Sequence, residues 1–284
     1  MSAPPTNALA NSVRQSEEVA APPSPSRAAE RATFTAALAI FAVAAVLTIY
    51  LTRSMSGGMR MSGNWTMSMM WMVMPGQSWM TAALAFVGMW LAMMVAMMLP
   101  SSLPMLLLYR RAAAFRGESR LGLLTFAVGT GYFLVWTLFG VLAYLGGTAI
   151  SRLVMTWLVL SRIVPVAAGG ALVLAGIYQL TPWKSACLKH CRDPLLLVAH
   201  HLHGGWRGAL RLGIHHGVFC AACCWGLMLI QLVLGVMSLA VMAVVAVLIA
   251  LEKVLAKGEV VARLTGYAAV LGGLALSALS LFGR

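Results

Sequence analysis

Residues 213–254 read GIHHGVFCAACCWGLMLIQLVLGVMSLAVMAVVAVLIALEKV. Between His216 and Glu252 this stretch has no charged side chain, and the turn at Gly235–Ser238 divides it into two apolar helices, 213–235 and 238–254. A helix needs about 20 apolar residues to cross a bilayer. The two runs therefore read as an antiparallel pair of spans. Five further apolar runs, at 33–51, 79–99, 121–146, 163–180 and 260–281, extend the pattern. The expected fold is an all-α polytopic transmembrane helical bundle of about seven spans.

The composition agrees with that class: 61% of residues are hydrophobic and 10% charged. The formal charge of +13 lies mostly in short loops between apolar runs, which reads as an orientation signal and argues against a nucleic-acid partner. With the N-terminus inside, fifteen Lys and Arg fall on inner segments and five on outer ones. The expectation is a multi-pass protein of the bacterial inner (cell) membrane with a cytoplasmic N-terminus and membrane lipid around it. Residues 1–32, rich in Ala, Pro, Ser and charge, read as a disordered cytoplasmic tail. The membrane domain then occupies 33–284, with an outer loop at 52–78 and an inner loop at 181–211.

Chemistry concentrates in one window. All five cysteines and all six histidines fall between Cys187 and Cys224. An odd number of cysteines excludes complete internal pairing. At about 100° per residue, His216, Cys220, Cys223 and Cys224 share one stripe of a helix, and Gln231 continues it. Cys187 and Cys191 are one helical turn apart in the inner loop, beside His190. Thiolates and imidazoles of this kind suit Zn²⁺, Cu⁺ or an iron–sulfur cluster. Lys184, Lys189 and Arg192 are expected to favour the thiolate form. His200, His201 and His203 form a second knot that fits an interfacial cluster equally well, and His215 is rotated off the His216 stripe.

The outer loop narrows the choice of metal. Met55, Met59, Met61, Met67, Met69, Met70, Met72 and Met74 alternate with Gly, Ser, Arg and Asn in a segment too polar to be a span. Thioethers select Cu(I), whereas Zn²⁺ does not favour them. Met55, Met59, Met61, Met67, Met69 and Met70 are thus candidates for a secondary outer site. Met93, Met97 and Met228 are candidates for a path inward, although methionine at helical spacing is also ordinary core.

Several classes are excluded or disfavoured. There is no GxxxxGK[ST] phosphate loop, no CxxCH haem motif and no Ser-His-Asp set. All seven acidic residues read as lying in the tail, in inner loops or at span ends, which disfavours a carboxylate proton relay.

Residues 94–104 (MVAMMLPSSLP), 184–194 (KSACLKHCRDP) and 216–228 (HGVFCAACCWGLM), with Gly235-Val-Met237 and Glu252-Lys253 beyond them, resemble a bacterial family of predicted metal-binding integral membrane proteins. That family is a domain of unknown function with CLxxCRxP and CCWxxM motifs, and the likeness covers about residues 65 to 275. It implies a multi-span protein with a metal site and carries over Cys187, Cys191, Cys223 and Cys224 as motif positions.

The sequence thus points to a metal-binding membrane protein handling copper(I) as transporter, metallochaperone or copper-enzyme accessory. A copper chaperone or a membrane complex would be its partner, and zinc is the competing metal. The alternatives are a thiol-disulfide or electron-transfer oxidoreductase using Cys220–Cys224, and a structural Zn/Cu subunit of a larger complex. If the two halves of the window share one ion, Cys187 or Cys191 must come within reach of Cys220, Cys223 or Cys224.

Overall fold

Backbone amides inside an apolar medium have no water to bond, so a long apolar run satisfies them internally as helix. The computed structural model describes residues 27–54, 57–61, 65–72, 76–193, 195, 198 and 204–282. The tail up to residue 26, Met55, Met74, His200, His201 and His203 lie outside them. Helix α1 is Arg27–Ser54. A hairpin follows, β1 (Gly58–Met61) and β2 (Trp65–Ser68), closed by a 3-10 turn at Met69–Trp71. Then come α2 (Trp79–Phe115), α3 (Leu121–Thr156), α4 (Leu158–Leu180), α5 (Pro182–Arg192), α6 (Gly205–Gly235), α7 (Leu239–Val254) and α8 (Gly258–Phe282).

Among the described residues, six helices are long and apolar enough to cross a membrane: α1, α2, α3, α4, α6 and α8. The expected span at 238–254 differs. Its helix, α7, has 16 residues, about 24 Å at 1.5 Å per residue, against a hydrocarbon core of about 30 Å. Its last turn instead brings Glu252 and Lys253 to the interior. The expected end of a span at 99 is also displaced. α2 continues through Pro100 and Pro104, where Ser101 and Ser102 hydroxyls donate to the Met98 and Leu99 carbonyls at 3.0 and 3.1 Å. Such serine bonds help a helix accommodate prolines away from water. The inner loop is not all loop either, since α5 forms within it, capped by the Thr181 hydroxyl.

The methionine-rich segment pairs Met59 with Met67 and Met61 with Trp65 across an antiparallel ladder. This hairpin seats on the bundle through two tryptophans. Trp65 Nε1 donates to the Ser161 carbonyl at 2.9 Å, and Trp71 packs 5.2 Å from Phe86, ring centre to ring centre.

The placement of α6 rests on close backbone approach to α3. Gly131 faces the backbone of Leu210 and Ile214, Gly213 faces that of Val128, and a methyl at either position would overlap those atoms. Small residues let helices approach closely where no hydrophobic drive separates protein from lipid. Overpacking costs about 1–3 kcal/mol. Gly131→Ala and Gly213→Ala should each destabilise the detergent-solubilised protein by about that amount in equilibrium unfolding. Gly146→Ala, where an added methyl meets nothing within 4 Å, should be neutral or stabilising, since Ala exceeds Gly in helix propensity.

Candidate metal centre

Helix α6 buries one stripe: His216, Cys220, Cys223 and Cys224 are all buried in the core, with Gln231 two turns further along. The Cys223 and Cys224 sulfurs are 3.3 Å apart, and Cys220 interacts with both thiols. Helix α5 lies across this stripe. Its Cys191 thiol reaches the Cys223 thiol side chain to side chain, and both Cys187 and Cys191 pack half-buried against the same core. The structure thus pairs Cys223 with Cys224 and sets Cys191 and Cys220 beside that pair. Cys187 sits a turn earlier, on the side of Tyr178.

The histidines divide. His216 is buried one turn before Cys220, stacked on Tyr132 at 5.3 Å, and its Nδ1 has no hydrogen-bond partner among the described residues. His190 turns from the thiols to aromatic neighbours, 4.0 Å from the Phe219 ring and 5.6 Å from His215. Among the described residues, no three His, Cys, Asp or Glu side chains form a preformed metal cage.

Six residues surround the thiols, and of these only Lys184 is read from sequence as acting on them. Cys220 Sγ is met at 3.0 Å by the Tyr132 hydroxyl from α3 and at 2.9 Å by Lys253 Nζ from α7. The same ammonium donates to Ser101 Oγ of α2 at 3.3 Å. Lys184 Nζ, on α5, donates to the Cys223 carbonyl at 2.5 Å and to Glu252 Oε2 at 2.6 Å. Gln179 Nε2 bonds the other Glu252 oxygen at 2.9 Å.

Two expectations are corrected here. Glu252, placed among span-end carboxylates, is 1% exposed, because it is the counter-ion of an equally buried lysine. Of the cations expected to serve the thiols, Lys184 pairs with Glu252 while its charge still acts on Cys223 and Cys224, Lys189 faces Glu259 at 3.7 Å, and Arg192 donates to the Leu255 and Ala256 carbonyls. Lys253 is the cation that reaches a thiol. A single basic residue after an apolar run gave no sign of that role.

Burial alone would push the Lys184 ammonium down, but Glu252 and the Cys224 and Cys223 thiols outweigh it and raise the pKa above the ordinary lysine value. Since the folded value is the raised one, the stabilisation is complete below the unfolded lysine pKa and is lost only as pH rises past the folded one.

Methionines recur in the buried core around the thiols. Met70 from the hairpin turn, Met89, Met93, Met94, Met97 and Met98 of α2, and Met228 of α6 belong to the same buried cluster as the three helix cysteines. Gln231 Nε2 donates to Met93 Sδ at 3.2 Å, while its Oε1 is buried without a partner among the described residues. In the hairpin, Met67 is buried, Met61 and Met69 are half-buried, and Met59 is exposed.

Fold and site together define a polytopic helical bundle with a buried thiol cluster at one end of a methionine-lined core. A family model, PpoB2, described as a copper chaperone, matches residues 87–276, two thirds of the chain. The chain belongs to this copper-chaperone family. The match takes in every thiol and most of the methionine lining and begins after the hairpin. Comparison with curated proteins and with solved structures gives no match.

Removing one partner of a buried ion pair costs about 3–5 kcal/mol, whereas replacing both by apolar residues is often neutral. Lys184→Met and Glu252→Met alone should each destabilise the protein by that order. The double variant should recover most of the loss, as read by a double-mutant cycle in equilibrium unfolding.

Proposed function

We propose that this protein is a membrane-embedded copper chaperone that carries Cu(I) at low coordination on thiols drawn from Cys191, Cys220, Cys223 and Cys224. The observation that carries the reading is the meeting of Cys191 from α5 with the buried α6 thiols, in a chain of the copper-chaperone family. Thiolate and thioether donors together select Cu(I), and Cu(I) accepts low-coordinate thiolate sites. The lack of a cage of three or more His, Cys, Asp or Glu groups among the described residues is therefore compatible with this cargo.

The long apolar helices support insertion in the cell membrane, and the charge count supports a cytoplasmic N-terminus. On that orientation the thiols face the reducing side, where they stay available as ligands. The methionine hairpin faces the oxidising side, where thioethers cannot form disulfides. Met70, Met89, Met93, Met97 and Met228 then line the interior between the two, and weak thioether ligands pass the ion along. The geometry supports delivery to or from a partner protein at the α5 end. Lys253 provides the positive charge beside Cys220 that the arriving ion must replace.

Competition titration with a Cu(I) chelator tests the site. Wild type should bind Cu(I), and Cys223→Ser/Cys224→Ser should weaken binding beyond the 10–100-fold typical of losing a group outside the direct ligands. Protein purified without chelators that carries zinc and ignores Cu(I) would sink the reading. A reversible dithiol potential without metal would favour the electron-transfer alternative.

The thioether route has its own test. Leu for Met at 93, 97 and 228 conserves volume and should cost under about 1.5 kcal/mol at each position. The triple variant should keep its fold and its thiol-site affinity while slowing Cu(I) arrival from the hairpin face in reconstituted vesicles. Unchanged arrival would assign these methionines to packing alone.

A further inference from the structure

A groove of about 700 Å³ runs along the outside of α1, α2 and α3 and shares no residue with the thiol cluster. Each helix contributes one stripe: Ala32 to Ile40 on α1, Leu91 to Arg110 on α2, and Gly122 to Thr137 on α3. The α2 stripe alone is about 28 Å long at 1.5 Å per residue, nearly the thickness of a bilayer core. It can therefore hold an acyl chain, which crosses one leaflet.

The groove wall is apolar by construction. Four threonines line it, and each turns its hydroxyl to a carbonyl of its own helix: Thr33 to Ala29, Thr125 to Leu121, Thr130 to Phe126 and Thr137 to Phe133. Their methyls are left to face the groove. Gly122 and Gly129 open it further, because a side chain at either would meet nothing within 4 Å.

Arg110 is the one charged residue in this lining. Its Nε–H is buried and has no hydrogen-bond partner among the described residues. The carboxylate beside it, Glu30, is already held by Arg111 in a two-pronged pair at 2.6 and 3.2 Å. A buried donor without an acceptor costs about 1–3 kcal/mol. The apolar groove thus ends on a guanidinium with an unused donor, at an end of the bundle that also carries Arg116 and Arg120.

We propose that this groove is a phospholipid site: one acyl chain lies along the α2 stripe, and an anionic headgroup phosphate accepts from Arg110. The proposal rests on the membrane placement argued above and is independent of copper. Its chemistry is that of guanidinium–phosphate pairing, in which planar forks of N–H donors match phosphate oxygens. An anionic lipid leaflet is where such a cluster of arginines would sit under the orientation given by charge.

The test compares the full chain with Arg110→Gln, Arg110→Lys and Gly129→Leu. Each is extracted from the same membranes after flotation with vesicles, then exchanged into mixed phosphatidylglycerol and phosphatidylcholine micelles. Retained lipid is identified by mass spectrometry. Wild type should retain phosphatidylglycerol preferentially. Arg110→Gln should lower that preference about fivefold, the effect of one charge near an anionic surface, and Arg110→Lys should keep most of it. Gly129→Leu, which fills the groove, should lose both lipids. The proposal is overturned if wild type shows no preference, if all variants retain lipid alike, or if the retained molecule is an isoprenoid quinone. Failure to float with vesicles would instead remove the membrane placement. A chain that floats but retains no lipid removes the lipid site alone.

Discussion

Lys184 and Glu252 are each 1% exposed and meet at 2.6 Å. Taking two charges out of water costs several kcal/mol per ion unless each finds the other with its remaining bonds satisfied. Here the lysine belongs to α5 and the carboxylate to α7, and the lysine's second acceptor is the Cys223 carbonyl on α6. The requirement is met only when α5 lies across α6 with α7 alongside. Lys184, Cys187, Leu188 and Cys191 are spaced at three, four and seven residues, so they share the face that this arrangement turns inward. The pair that anchors Lys184 therefore also carries Cys191 to Cys223. Charge neutralisation and thiol assembly are one geometric event.

The bundle was legible because its helices are long, apolar and bounded by charge, which leaves few alternatives in sequence. The α6 stripe was legible for the same reason of period, and Cys191 joined it once α5 proved helical. What escaped depended on partners distant in the chain. Glu252 and Lys253 close an apolar run and read as its polar boundary; only α5, 68 residues earlier, and Cys220, 33 residues earlier, explain why they turn inward. The short length of α7 follows from the same fact. His190 is adjacent to the cysteines in sequence, and its packing on Phe219 depends on a residue 29 positions away. Pro100 and Pro104 signalled an end that the serines between them help α2 avoid.

The methionines show a third kind of constraint. α3 and α6 touch backbone to backbone through glycine, whereas α2 reaches α6 through long side chains such as Met93 on Gln231. Methionine is unbranched and adaptable, so it fills an irregular gap of this kind without fixing one packing. α6 thus meets α3 through backbone and α2 through adaptable side chains.

Cys220, Cys223 and Cys224 are at most 1% exposed, and this turns a question of affinity into one of residence time. An ion seated there leaves only when the cover over the stripe moves. If α5 lifts away, Glu252 is left buried without its lysine, a state about 3–5 kcal/mol uphill. At 1.4 kcal/mol per decade, that opens roughly one molecule in 10²–10⁴ at any moment. A docking protein that supplies its own cation to Glu252 would lower that cost and speed release. On the proposed reading, the timing of release is written into the ion pair rather than into the strength of the sulfur bonds.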